Sequence, residues 1–189
     1  MIATGLSRAR LLAAATAVLL AGCAHTLASY PPAISNRALV QAGTPAPLAL
    51  GTFSNASGNA DAQGVSARGM LFKPPQGDYA AYLRAALEAE LRQAGRYDAS
   101  APLKLSGVLQ RNSLDTGVPT GRAELQARFR LEREGRVVYE GEQRVGTSWD
   151  SSFVGMLAVP VAETNYVTAY QKLIAQLFAD PAFRASTAR

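Results

Sequence analysis

The chain has 189 residues, with 19 Lys and Arg against 14 Asp and Glu, a formal charge of +5, one His and one Cys. That length suits one ordinary domain with a leader and a linker, and the weak basic excess has no basic run to argue for nucleic-acid binding. One His (His25) and one Cys (Cys23) exclude an intramolecular disulfide and leave the folded domain with neither a His/Cys zinc site nor a His-based triad.

In chain order, Arg8 and Arg10 form a short positive region with no acid before them, and Leu11 to Ala21 is an apolar run. A helix needs about 20 apolar residues to cross the hydrocarbon core, so this shorter run suits a cleavable export signal. Leu20-Ala21-Gly22-Cys23 follows, and it resembles the lipobox of bacterial lipoproteins: an aliphatic residue, two small residues, then Cys. The small pair lets a peptidase approach the backbone, and the thiol can become a diacylglyceryl thioether. The resemblance implies cleavage between Gly22 and Cys23, acylation of the new amino group with a palmitate-type chain, and membrane attachment through Cys23. Stable anchoring needs at least two chains, which a triacylated Cys exceeds. Ala24 stands where an Asp would retain the protein at the inner membrane, so the resemblance implies a periplasm-facing position on the outer membrane of a Gram-negative cell.

Loss of residues 1–22 removes Arg8 and Arg10 and leaves 167 residues with 17 basic and 14 acidic side chains, a charge of +3. Residues 23–46 then read as the lipidated N-terminus and a flexible tether, broken by Pro31, Pro32 and Pro45. A coil of that length spans roughly 25–30 Å, enough to hold a domain off the headgroups. The domain itself is expected over 47–183, with 184–189 a frayed tail.

Leu48 to Phe53 is a strand candidate. Residues 54–77 form a long loop, the kind that tends to be functional or mobile, and Met70-Leu71-Phe72 within it suits a short strand or a docking edge. Asp78 is an N-cap for a helix whose face carries Tyr79, Tyr82, Leu83, Ala86, Leu87 and Leu91, with Gly95 as its stop. Three alternating strands follow, from Leu103, from Ala123 and from Val137. Ala123, Leu125, Ala127, Phe129 and Leu131 point one way, and Glu124, Gln126, Arg128, Arg130 and Glu132 the other. A three-residue bulged turn over Arg133-Glu134-Gly135 would pair Leu131 with Val137 and Phe129 with Tyr139, keeping the apolar side chains together. Trp149 to Val159 reads as a connection. Pro160 suits the first turn of a second helix, with Tyr166, Tyr170, Leu173, Ile174, Leu177 and Phe178 as its stripe and Asp180-Pro181 as its end.

The expected fold is therefore α+β: a single antiparallel sheet of about four strands with two helices on one face, in the order β-α-β-β-β-α, after a disordered tether. This order resembles small outer-membrane assembly and activator lipoproteins, such as the lipopolysaccharide-assembly lipoprotein and the periplasmic activators of peptidoglycan synthases. No residue motif selects one of them.

No Gly-x-Ser-x-Gly elbow, phosphate-binding loop or EF-hand loop is present, and no cofactor or metal is expected. The pairs Glu132/Glu134 and Glu140/Glu142 lie among arginines and suit solvated strand faces better than a glycosidase acid pair. The favoured reading is non-enzymatic: an anchored binding or scaffolding module in envelope assembly or transport, its partner an envelope protein or glycolipid. Arg128 and Arg130 on the polar strand face, and Trp149 and Phe153 in the connection, are the candidate contact residues, since interfaces favour Arg and aromatics. Trp149 and Phe153 can equally close one end of the core. The alternatives are a carboxylate-dependent cell-wall or lipid hydrolase, which needs two acids such as Glu140 and Asp150 to converge, and a purely structural lipoprotein.

Overall fold

The computed structural model describes residues 24–57 and 65–188, so Gly22, Cys23 and the loop around Asp61 lie outside the described residues. Its elements are β1 (Ala24–Thr26), α1 (Ile34–Gly43), β2 (Ala49–Asn55), β3 (Val65–Ala67), β4 (Met70–Lys73), α2 (Tyr79–Gln93), β5 (Leu103–Asp115), β6 (Thr120–Arg133), β7 (Arg136–Asp150), α3 (Gly155–Ala179) and α4 (Pro181–Thr187). The fold is α+β, as the alternating and helical stripes predict.

The single antiparallel sheet is not what forms. The described residues form two sheets, a four-stranded one ordered β2-β5-β6-β7 and a three-stranded one ordered β1-β4-β3. In the larger sheet β2 and β5 run parallel, with Leu50 beside Leu105, because α2 carries the chain back across the sheet between them. The hairpins β5-β6 and β6-β7 are antiparallel. Leu105, Leu109, Leu125, Ala127, Phe129 and Leu131 are fully buried beneath the helices.

The β6-β7 turn also departs from expectation. Arg133 pairs with Arg136 across a two-residue Glu134-Gly135 turn, with φ of 51° and 79° at its two centres. Positive φ at both is the primed geometry that matches strand twist. A one-residue shift between Leu131 and Glu132 then places Leu131 opposite Tyr139 and Phe129 opposite Gly141. The bulge, displaced into the strand, restores the apolar face that the turn alone would have flipped. Val137 and Val138 are left partly exposed.

The largest correction is the tether. Residues 24–46 are structured: β1 pairs with β4, and α1 buries Asn36, Val40 and Gly43. The arm is held by Glu90, a fully buried carboxylate on α2. Glu90 Oε1 accepts from Tyr30 Oη at 2.6 Å, from Ala33 N at 3.0 Å and from Asn36 Nδ2 at 3.0 Å. Asn36 Nδ2 also donates to Gln171 O on α3 at 3.0 Å, so one amide ties the arm to both long helices. The sequence carries traces of this arrangement. Asn36, Val40 and Gly43 have helical spacing, and Glu90 stands on the apolar stripe between Leu87 and Leu91.

Helix α2 agrees with expectation. Asp78 Oδ1 accepts from Ala81 N at 2.8 Å, and Gly95 ends the helix at φ 66°. Tyr79 Oη donates to Phe72 O at 2.5 Å and accepts from Val65 N at 2.8 Å, which docks the β3-β4 hairpin inside the former loop. Helix α3 begins at Gly155, so Pro160 sits in its second turn rather than its first. Nor does the C-terminus fray after Phe183. Asp180 caps α4, and buried Thr187 donates to Gly43 O at 2.6 Å.

Replacing Glu90 with Ala removes the shared acceptor of Tyr30, Ala33 and Asn36, which should lower unfolding free energy by about 2–4 kcal/mol in urea titrations. Glu88→Ala, which removes only partly solvated i,i+4 pairs to Arg84 and Arg92, should cost about 0.5 kcal/mol. Equal losses would deny Glu90 its role. A second expectation concerns alkali. Burial raises the hydroxyl pKa of Tyr82 and Tyr139 from 10.0 to about 12, helped at Tyr139 by its bond to Asp180. Buried Tyr166 and Tyr170 are raised as well, chiefly by desolvation. Unfolded tyrosines release protons first, so stability is complete below pH 10 and falls as pH rises from 10 towards 12. Across that window denaturation midpoints should fall while tyrosinate absorbance rises over the same pH range.

Candidate functional site

Because side chains alternate along a strand, the large sheet has two chemically different faces. One carries the core. On the other, Arg128 lies opposite Glu142 and Arg130 opposite Glu140. Arg128 Nη1 and Nη2 stand 3.9 Å from Glu140 and from Glu142, and Arg130 Nη2 is 2.8 Å from Glu132. Further along, Glu124 bridges Arg111 at 2.6 Å and also meets Arg144. Gln126 Nε2 donates to Glu142 at 2.7 Å. The face is thus a lattice of both signs of charge, and among the described residues no helix covers it. A shallow groove of about 370 Å³ runs over it between Thr52, Ser54, Arg128, Arg130 and Glu140.

The four candidate contact residues do not form one surface. Arg128 and Arg130 share the open face. Trp149 lies on the opposite, core-facing side, paired with Gly121, where its indole fills the space a methyl on residue 121 would need. It is partly buried against the core, and its Nε1 is buried without an acceptor. Phe153 belongs to neither place. It is 86% exposed, just before α3. So Trp149 closes one end of the core, and Phe153 does not.

The carboxylates are also separated. Glu140 and Asp150, the pair a hydrolase would need to bring together, sit ten residues apart on one strand, a separation of roughly 30 Å. Glu140 and Glu142 share a face but stand beside Arg128, while Glu134 lies in the turn. Buried Glu90 has no second acid among its hydrogen-bond partners and is engaged by the arm. Among the described residues, no group of three or more His, Cys, Asp or Glu side chains is placed to hold a metal. His25, the one imidazole, packs against Phe72 with its Nε2 3.0 Å from Glu163 Oε2, an arrangement that pins β1 to α3.

No protein-family model and no curated protein matches the chain. Solved structures do resemble it. A protein from Xanthomonas campestris, described by the family model DUF330, is 14% identical over 82% of this chain and 95% of its own, with a TM-score of 0.54. A protein from Caulobacter crescentus described as a lipoprotein is 16% identical over 80% and 98% of the two chains, at a TM-score of 0.47. A minor lipoprotein from Acinetobacter baumannii is 12% identical over 68% and 92%, at 0.36. The first likeness shows a shared fold; the other two are looser.

The two kinds of candidate residue separate in a stability measurement. Arg128→Ala and Arg130→Ala remove only half-exposed ion pairs and should each change unfolding free energy by no more than about 0.5 kcal/mol. Trp149→Ala opens the end of the core and should cost about 2 kcal/mol. A large loss at either arginine would mean that the open face is structural.

Proposed function

We propose that this chain is a lipid-anchored envelope protein, held on the outer membrane by acylated Cys23, which binds another envelope protein without catalysing a reaction. The anchor rests on Leu20-Ala21-Gly22-Cys23 and the apolar run before it. The observation that carries the binding role is the uncovered face of the four-stranded sheet, where Arg128 and Arg130 line the groove beside acids at hydrogen-bonding or ion-pair distance.

Its chemistry favours a protein over a polyanion. Each arginine already has a carboxylate beside it, so the face presents alternating charge rather than a positive field. Alternating charge suits a partner surface with the reverse alternation, and such complementarity selects register and partner more than it adds affinity. A hydrolase is disfavoured because its acid pair is spread along β7.

Two measurements test this reading. Cys23→Ser should abolish fatty-acid labelling and membrane association; a variant still membrane-bound and processed at the same site would refute the anchor. Photo-crosslinking residues placed at Arg128 and Arg130 in intact cells should capture one discrete envelope protein, whereas one at Lys172, on the exposed side of α3, should not. Identical patterns at all three positions would remove the binding role from the open face.

A further inference from the structure

The segment after β7 has a composition unlike the rest of the domain. No charged residue occurs between Asp150 and Glu163. Five apolar side chains there point into solvent: Phe153 is 86% exposed, Met156 85%, Leu157 60%, Val154 55% and Val161 42%. They form the protruding first turns of α3 and the bend before it. Ala158 and Ala162, on the other side of the helix, are buried in the core, so the exposed set is not an accident of fraying. Arg68 fixes the bend, donating from Nη2 to Ser152 O at 3.0 Å. Among the described residues, no helix is long and apolar enough to cross a membrane. Contiguous apolar exposure of this kind marks an interaction surface.

The course of the N-terminal arm indicates what covers it. His25 contacts Glu163, Pro31 O accepts from Gln171 Nε2 at 3.0 Å, and Asn36 bonds Gln171 O. The arm therefore runs along α3 in the same direction as the helix. Traced backwards from His25, it heads towards the start of α3. Met156 lies on the same helical stripe as Glu163, seven residues earlier, a rise of about 10 Å. Strand β1 leads to the same end, since Ala24 pairs with Leu71 near the Arg68–Gly69 turn that touches Ser152. The arm's described end, Ala24, thus lies towards the end of the domain where α3 begins, and Cys23 precedes it by one peptide bond.

We propose that Phe153, Val154, Met156, Leu157 and Val161 form a membrane-insertion surface, which dips into the headgroup layer of the leaflet holding the acyl chains of Cys23. The proposal rests on the lipid-anchor reading above. The domain then lies directly on the bilayer with the start of α3 downward, not at the end of a flexible stalk. An uncharged apolar helix end entering about 5–10 Å needs little binding energy of its own, because the acyl chains already hold it at the surface. The open sheet face stays clear of the lipid for a partner.

Acylated Cys23 has no free thiol, so one introduced Cys can be labelled specifically in the full-length lipidated protein. Met156→Cys and, at the far end of the β6-β7 hairpin, Val137→Cys would each carry an environment-sensitive dye. The proteins would be placed in phosphatidylethanolamine/phosphatidylglycerol vesicles containing acyl-chain-brominated lipid. The expected result is a blue shift and roughly twofold or greater quenching at 156 relative to 137, lost when Leu157→Glu is added although the protein still floats with the vesicles. Flotation with equal quenching at 156 and 137 overturns the insertion surface and leaves the anchor intact. Dye at 156 responding to a second labelled copy, but not to brominated lipid, assigns the patch to self-association and also overturns it. Dye reacting at Cys23, with no flotation, overturns both readings.

Discussion

A single buried carboxylate determines how the arm over residues 24–46 relates to the rest of the protein. Glu90 takes three hydrogen bonds on one oxygen from residues spread over Tyr30 to Asn36, and its other oxygen is buried without a partner. It is the one fully buried acid among the described residues, and an acid out of water persists only when its surroundings supply donors. Here the arm supplies them. The arm and α2 thus satisfy each other: without Glu90 the donors of Tyr30 and Ala33 would lose their acceptor and Asn36 would keep only Gln171 O, and without the arm the carboxylate would be orphaned. That mutual dependence holds the chain against α3 and fixes where its N-terminal end emerges.

The tyrosines extend the same logic. Tyr79 links the β3-β4 hairpin to α2 through two backbone groups, and Tyr166 donates to Asn112 at 2.6 Å beneath the sheet. Tyr82 and Tyr170 meet edge-to-face at 5.0 Å between the two long helices. Each ring fills core volume; the hydroxyls of Tyr79, Tyr82 and Tyr166 bond backbone or amide groups, and that of Tyr170 meets the Tyr166 hydroxyl. Polar bonds therefore decide how the smaller sheet and the arm sit on a core that the larger sheet and helices build.

This division separates surfaces as well. The face of the large sheet turned away from the helices keeps its charges balanced and open. The apolar end of α3 protrudes separately, with Phe153 and Met156 in solvent. If one end meets lipid, the other face remains free for a partner, and the two contacts need not compete.

Much of the core was legible in the sequence because its signals are local. The face of α2, the alternation of β6 and the stripe of α3 repeat at periods set by backbone geometry, and the Asp78 cap and Gly95 stop follow from their own φ and ψ. The β6-β7 turn was harder, because the apolar face is kept either by a bulge in the turn, which pairs Leu131 with Val137, or by a bulge in the strand, which pairs Leu131 with Tyr139. Local pattern does not choose between them. The arm was misread because Pro31, Pro32 and a polar composition indicate a linker when taken alone, and its anchor lies on α2, 54 residues beyond Asn36. The sequence by itself determined the fold class, the buried stripes, the lipobox reading and the sparse catalytic inventory. Only the tertiary structure decided that the arm is ordered, that Trp149 is core while Phe153 is exposed, and that the arm runs along α3. Those outcomes depend on hydrogen bonds between residues far apart in the chain, which composition and periodicity do not encode.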